Sequence, residues 1–244
     1  MTKVLVSGAS SGLGKYLAEE LDADTYCRNS ELACGEYDVV VHNAWDTQRR
    51  DPCTFTYFTY AQALFNKLVC VPHKKFIFLS SVEVYPKDHK DHKEYDEDSA
   101  LDNRDINGVY GITKFSIEQQ LASHDNCVII RPSSLLGEYT RSGNNVSKIR
   151  DGKTVRLNPF SILNFVLYED ILKFMQVAIE KDLKGIYNLI SSNHLTVSTI
   201  HHGAFEEDNY LYKLSKICNK KVQEFVPELS RSSEETYKLW LQKY

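Results

Sequence analysis

The stretch KVLVSGASSGLGKYLAEEL, residues 3–21, decides how the rest of the chain is read. KVLV is a short apolar run suited to a buried parallel strand. GASSGLG follows at once, and KYLAEEL continues a pattern in which Leu13, Leu17 and Leu21 lie four apart on one helix face. Strand, glycine-rich turn and helix in that order place a pyrophosphate on a helix N-terminus. Gly8 permits the tight turn, Gly12 lets the backbone approach a phosphate, and Gly14 lets the helix pack close to the strand. The spacing is GxxxGxG, with Ser11 where a GxxGxxG pattern has its middle glycine. Ser10, Ser11 and Leu13 complete the turn as candidate cofactor contacts.

A second strand should end near the residue that reads the adenosine ribose. The chain there runs DTYCRNS (24–30), with Arg28 near that point and no acid beside it. A guanidinium suits a 2′-phosphate, so NADP(H) is expected over NAD(H), the alternative being a surface arginine. EYDVVVHNAW (36–45) is another buried parallel strand, ending in a cluster that contains Asn43 and Ala44. Only nine residues, 29 to 37, separate Arg28 from Asp38. A full crossover does not fit there, so one outer strand with its helix is expected to be missing, leaving a sheet of about six strands. FIFLSSVEVY (76–85) is a third such strand and ends in Ser80 and Ser81. NGVYGITK (107–114) sets Tyr110 and Lys114 four apart, on one face if the segment is helical.

Taken in order, GASSGLG, DVVVHNA, FLSSVEVY, YGITK and VIIRPSSLLG (128–137) resemble the short-chain dehydrogenase/reductase family, in its extended branch of nucleotide-sugar epimerases, dehydratases and reductases. LNFVLYEDILKFMQVAIEK (163–181) and GIYNLIS (185–191) extend the likeness over nearly the whole chain. The resemblance implies an α/β fold, a Rossmann-type doubly wound parallel sheet with a small C-terminal substrate lobe. The cofactor domain would take residues 1–131 and about 161–190, and the lobe 132–160 and about 191–244.

The resemblance also assigns roles. Tyr110 would be the general acid/base, with Lys114 lowering its pKa and holding the nicotinamide ribose. Ser81 would hydrogen-bond the reacting oxygen, with Ser80 as the competing choice. Glu83 stands where sugar-nucleotide dehydratases and decarboxylases, with S-T-D-E-V-Y or S-T-S-E-V-Y, carry an active-site base. Here Val82 replaces the acidic or serine neighbour, and in an epimerase or reductase the glutamate would merely face solvent. Pro132, Ser133 and Ser134 would offer backbone groups to the nicotinamide carboxamide. In RPSSLLGEYTRSGNNVSKIRDGKTVRLNP (131–159), Asn144 and Asn145 are candidates for holding a nucleotide diphosphate. Arg141, Lys148 and Arg150 are candidates for its charge, the alternative being a solvated helix face.

The remaining composition narrows the classes. The chain has 244 residues, which suits one α/β domain with a small appended lobe; at this length it is short for the extended branch. A hydrophobic content of 42%, a charged content of 25% and a net charge of −4 give no sign of a nucleic-acid or anionic-membrane binder. No apolar run reaches transmembrane length, and MTKVLVSGAS enters a strand without a signal peptide. The six cysteines form no CxxC and read as reduced thiols of a cytoplasmic protein. His89 and His92 sit in the charged run KDHKDHKEYDED (87–98), and His201 and His202 are adjacent and diverge, so no metal site is expected. The C-terminal segment reads as polar and helical. The expected partner is a nucleotide sugar, in a homodimer that pairs through the helices flanking the active-site face. Reduction of a 4-keto sugar nucleotide or its epimerisation is the leading expectation. The rivals are a dehydratase or decarboxylase with tightly bound NAD, and a non-catalytic NAD(P)-binding sensor.

Overall fold

The computed structural model describes residues 2–27, 35–45, 55–87 and 93–244. Six parallel strands form the central sheet: β1 (Val4–Ser7), β2 (Asp24–Tyr26), β3 (Tyr37–His42), β4 (His73–Leu79), β5 (Cys127–Pro132) and β6 (Gly185–Leu189). Their spatial order is β6-β5-β4-β3-β1-β2. The expected loss of one outer strand is met, since β2 leads back to β3 on the far side of β1 and is itself a sheet edge among the described residues. The order reverses between β1 and β3, and in an open α/β sheet the crevice at such a point receives ligands.

The strands are apolar because both sheet faces are covered. On one face lie α1 (Gly12–Glu20) and α5 (Tyr168–Glu180), burying Leu13, Leu17, Ile171 and Met175 against Val4, Val6, Ile77 and Val128. On the other lie α2 (Phe55–Val69) and α3 (Gly108–Leu121), with Phe65, Leu68, Ile117 and Leu121 against Leu5, Val40, Phe76 and Ile129. The alternation along β1 follows from the two-residue period of a strand.

A smaller lobe carries α4 (Asn145–Arg150) and α6 (Ser233–Lys243). Its core joins Leu136, Ile149, Val155, Leu163, Phe165 and Trp240. The C-terminal segment is only partly helical: Phe205–Tyr210 is a strand beside Val155–Leu157, and Lys216–Ile217 pairs with Glu94–Tyr95. Paired backbone satisfies its polar groups where the sequence pattern reads as helical. Val222, Val226 and Leu229 pack into the sheet's own core, so this segment serves both parts of the molecule. The outer side of β6 is occupied by side chains. Lys221 Nζ donates to the Ile186 carbonyl at 2.9 Å, and Glu97 Oε1 accepts from the Asn188 amide at 2.8 Å. Among the described residues no helix is long and apolar enough to cross a membrane.

Candidate active site

A cavity of about 490 Å³ opens at the C-terminal ends of the strands, from the turn after β1 to the lobe. The turn has the geometry its sequence implies. Gly8 has φ +75° and Gly12 φ +58°, a region that side chains rarely adopt. A Cβ on Gly8 would lie 2.6 Å from Ala44 Cα, and one on Gly14 would lie 2.3 Å from the Gly8 carbonyl oxygen, so both glycines are needed for close packing. The backbone around Ser7 is fixed by one hydroxyl, which accepts from the Asn43 and Ala44 amides at 3.1 Å each. Its own proton goes to His42 Nδ1 at 3.2 Å, which leaves the ring hydrogen on Nε2.

On the sheet side, α3 presents Tyr110 and Lys114. Gly111 lets this helix approach the active-site turn Val82–Val84, since a Cβ there would lie 2.3 Å from the Glu83 carbonyl oxygen. Tyr110 and Ser81 line the same cavity, and the Ser81 hydroxyl acts on the phenol. Trp45 meets the Tyr110 ring edge to face, centroids 4.6 Å apart. Lys114 is 3% exposed, and its Nζ donates to the Leu79 carbonyl at 2.5 Å. Ser80 is engaged elsewhere, donating to Glu118, so Ser81 is the serine that faces the cavity.

The expected lowering of the Tyr110 pKa by Lys114 is not what this geometry produces. Burial pushes the phenol up to about 12, with Ser81 opposing and the Glu83 charge adding to the rise. Burial also pushes Lys114 down to about 7, against the pull of Glu118. The ammonium sits 6.0 Å from the Tyr110 ring centroid and spends a proton on Leu79, while Trp45 and Phe78 rings lie beside it at 4.7 and 4.8 Å. Desolvation therefore outweighs the mutual charge effect.

Glu83 lines the cavity but is held on both sides. The Tyr212 hydroxyl donates to Oε1 at 2.5 Å, and Lys87 forms an ion pair with Oε2 while lying 4.3 Å from the Tyr212 ring centroid. Burial and the Glu83 charge push the Tyr212 phenol well above its ordinary pKa. The sequence reading did not find Tyr212, Lys87 or Trp45. Lys87 lies four residues beyond Glu83 and was visible as a charge pair; Tyr212 stands 129 residues away and has no local signal.

The remaining candidates divide. Gly8, Ser10, Ser11, Gly12, Leu13, Asn43, Ser133, Ser134, Arg141, Asn144 and Asn145 line the cavity. Arg141 Nη2 reaches Ser11 Oγ at 3.1 Å across the glycine turn. Asn144 caps α4, its Oδ1 accepting from the Ser147 amide at 2.7 Å, and Asn145 Nδ2 lies 3.4 Å from the Tyr210 hydroxyl. Gly14, Ala44, Lys114 and Pro132 pack behind the lining residues. The backbone amides of Ser133 and Ser134 are spent on the Leu189 and Asn164 carbonyls, at 3.2 and 3.1 Å. Lys148 and Arg150 lie outside the lining: Lys148 faces Glu206 at 3.6 Å, and Arg150 pairs with Asp151 at 3.0 Å and covers Trp240. Both side chains are about one-third exposed. Arg28, His89 and His92 lie outside the described residues. Among those described, no group of three His, Cys, Asp or Glu side chains could hold a metal ion.

A sequence model of the NAD dependent epimerase/dehydratase family matches residues 31–189. The chain belongs to that family. A search of curated proteins finds no match. Among solved structures, MoeE5 in complex with UDP-glucose and NAD is similar at 15% identity and a TM-score of 0.75, covering 98% of this chain and 97% of its own. UDP-N-acetylglucosamine 4-epimerase from Methanobrevibacter ruminantium, in complex with UDP-N-acetylmuramic acid, gives 16% and 0.77 over 98% and 96%. TunA, an NAD-dependent NDP-hexosamine 5,6-dehydratase of tunicamycin biosynthesis, gives 16% and 0.76 over 99% and 97%. At these identities the likeness is one of fold, over nearly the full length of each chain.

The cavity suits the family's dinucleotide. A Cβ on Gly12 would come into ordinary contact with the Tyr168 hydroxyl at 3.5 Å, so the backbone there is left accessible only by the absence of a side chain. Ser11 at the N-cap of α1 makes no side-chain cap, so the first amides of that helix keep their donors for an anion. Ser133 Oγ is buried in the cavity wall and has no hydrogen-bond partner among the described residues.

Proposed function

We propose that the protein is a nicotinamide-dinucleotide-dependent oxidoreductase acting at a ring carbon of a nucleotide-activated sugar, most simply by reducing a 4-keto group or by epimerising through one. The observation that carries this reading is that Tyr110, Ser81 and the Gly8–Gly12 turn line one cavity, with Lys114 one helical turn behind Tyr110. The turn and the N-terminus of α1 would hold the pyrophosphate, and Ser133 and Ser134 border the opposite end. Bound there, the cofactor supplies hydride transfer.

The chain's own residues handle the proton. With its pKa pushed up to about 12, Tyr110 keeps its hydrogen at neutral pH and can donate it to a carbonyl oxygen that is becoming an alkoxide. Ser81 supplies a second hydrogen bond to that oxygen. Lys114 stands ready for a ribose hydroxyl. On the lobe side, Arg141, Asn144 and Asn145 would meet the nucleotide diphosphate. NADP(H) over NAD(H) is part of this proposal and rests on Arg28 in the sequence; the family's description names NAD. A homodimer pairing through α2 and α3 is a further part, which light scattering on the purified chain tests.

A dehydratase or decarboxylase is the second reading, because Glu83 lines the same cavity. Its carboxylate is already engaged by Tyr212 and Lys87, and Val82 provides no acidic partner, so the first reading stands ahead.

The test is to denature the purified protein, identify any released nucleotide by mass spectrometry, and measure NADPH and NADH binding in parallel. A protein free of nucleotide that prefers NADPH supports the reductase. Stoichiometric NAD⁺ moves epimerase, dehydratase and decarboxylase ahead. Neither bound nor taken up would sink the enzyme reading in favour of a degenerate or sensing protein. Tyr110→Phe should leave cofactor binding intact and lower turnover by about 10²–10⁴-fold.

A further inference from the structure

Tyr110, Lys114 and Glu118 follow one another four residues apart on one face of α3. Two of them are buried beneath the site, Lys114 at 3% exposure and Glu118 at 2%. Consecutive residues at the end of β4 are fastened to that face. The Leu79 carbonyl accepts from Lys114 at 2.5 Å, and the Ser80 hydroxyl donates to the Glu118 carboxylate. The next residue is Ser81, which meets Tyr110.

Glu118 is gripped in turn from β5. Arg131 donates to it through Nε at 3.1 and 3.2 Å and through Nη2 at 2.6 Å. Arg131 Nη1 donates to the Tyr85 hydroxyl at 2.8 Å, and that hydroxyl lies 2.8 Å from Asn188 Oδ1 on β6. One carboxylate thus joins three neighbouring strands to the helix that carries Tyr110. We propose that Glu118 is the positioning residue of this site: it locks α3 to the end of β4 so that Ser81 meets Tyr110, and its negative charge holds Lys114 as an ammonium. This deepens the proposed function and rests on it for the meaning of the site.

A buried ion pair is a costly way to join elements, since both partners give up water, and apolar packing of the same volume often serves as well. The charge is needed where a second cation must survive burial. The groups facing Lys114 are His42 from β3, which burial and the Lys114 charge hold down at about 3, the rings of Trp45 and Phe78, and Tyr110 and Glu118 on its own helix. Glu118 is the carboxylate among them, with Arg131 behind it. Burial takes Lys114 down to about 7, and the Glu118 charge is what opposes a further fall.

The experiment follows Lys114 through stability, which needs neither substrate nor cofactor, so its failure and that of the proposed function are distinguishable. Urea unfolding of the full chain is measured from pH 5 to 10, and the pH dependence of Lys114→Met is subtracted to isolate Lys114. The unfolded lysine holds its proton to about pH 10.4, so the native group near 7 makes stability rise with pH across that interval. In Glu118→Gln, against Glu118→Gln with Lys114→Met, the lower end of that rise should move down by roughly one pH unit or more. Ser80→Ala, which removes a neutral partner and leaves the charge, should lower the midpoint of unfolding without moving the rise. If Glu118→Gln does not fold, the pair Glu118→Gln with Arg131→Met is read in the same way, since it leaves no orphan charge. A rise that stays in place in whichever of these variants folds overturns the proposal and leaves Glu118 a packing residue.

Discussion

On the sheet side of the cleft, Ser81, Tyr110, Lys114 and Glu118 come from one strand end and one helix, joined through residues 2–3% exposed. On the lobe side, Glu83 meets Tyr212 across 129 residues of chain, and Arg141 meets Ser11 across 130, through groups that water still reaches. The first wall is over-determined and the second is closed by single polar contacts. Contacts of the second kind open at low free-energy cost, which is what the proposed admission and release of a nucleotide sugar would require. Mutations on the two walls should therefore differ in kind, the first in stability and the second in apparent affinity.

The largest effect is expected for Arg131→Met, which leaves the Glu118 carboxylate buried without its cation. Urea unfolding should show a loss of about 3–5 kcal/mol. A loss below 1 kcal/mol would mean the sheet side is as loosely joined as the lobe side. His42 gives the next effect, and its sign is fixed by its environment. Burial, aided by the Lys114 charge, holds the native imidazole down at about 3, while the unfolded ring takes a proton from about pH 6.5. The unfolded state thus binds more protons between those values, and stability present at neutral pH is lost as pH falls from 6.5 toward 3, by a few kcal/mol. His42→Gln should start less stable at pH 7 and lose less on acidification, so the two curves converge.

Tyr212→Phe comes third. It removes one hydrogen bond to a half-buried carboxylate and should appear as a several-fold rise in KM with little change in kcat. An equal fall in kcat would place Tyr212 in the chemistry. Lys148→Ala is the smallest: facing Glu206 at 3.6 Å outside the cavity, it should change stability by less than about 0.5 kcal/mol and leave nucleotide affinity unchanged.

The same division governs what could be read from sequence. The turn at Gly8, the strand at 36–45 and the Tyr110–Lys114 face are legible because each is set by residues within four positions of one another, where helix and strand periods apply directly. The outer strand missing among the described residues was legible from the nine residues between Arg28 and Asp38. Glu118 sits one more turn along the same face, yet its role depends on Arg131 and Ser80 arriving from two strands. Tyr212 and the pairing of Phe205–Tyr210 with Val155–Leu157 were hidden for the same reason. The expected lowering of the Tyr110 phenol by Lys114 is outweighed, because sequence gives proximity along the helix and not the burial that dominates both groups.

The side chains along the outer side of β6 have a consequence for the protein at high concentration. An edge strand with free amides and carbonyls is a template on which another chain can add a strand and begin to aggregate. Lys221 and Glu97 already occupy the Ile186 carbonyl and the Asn188 amide, so an incoming strand would first have to displace two charged groups. Among the described residues the opposite edge is β2, three residues long, and Lys67 lies over the ring of Tyr26 there, its Nζ 2.9 Å from the hydroxyl. A sheet shortened by one strand has thus acquired ends that resist self-association.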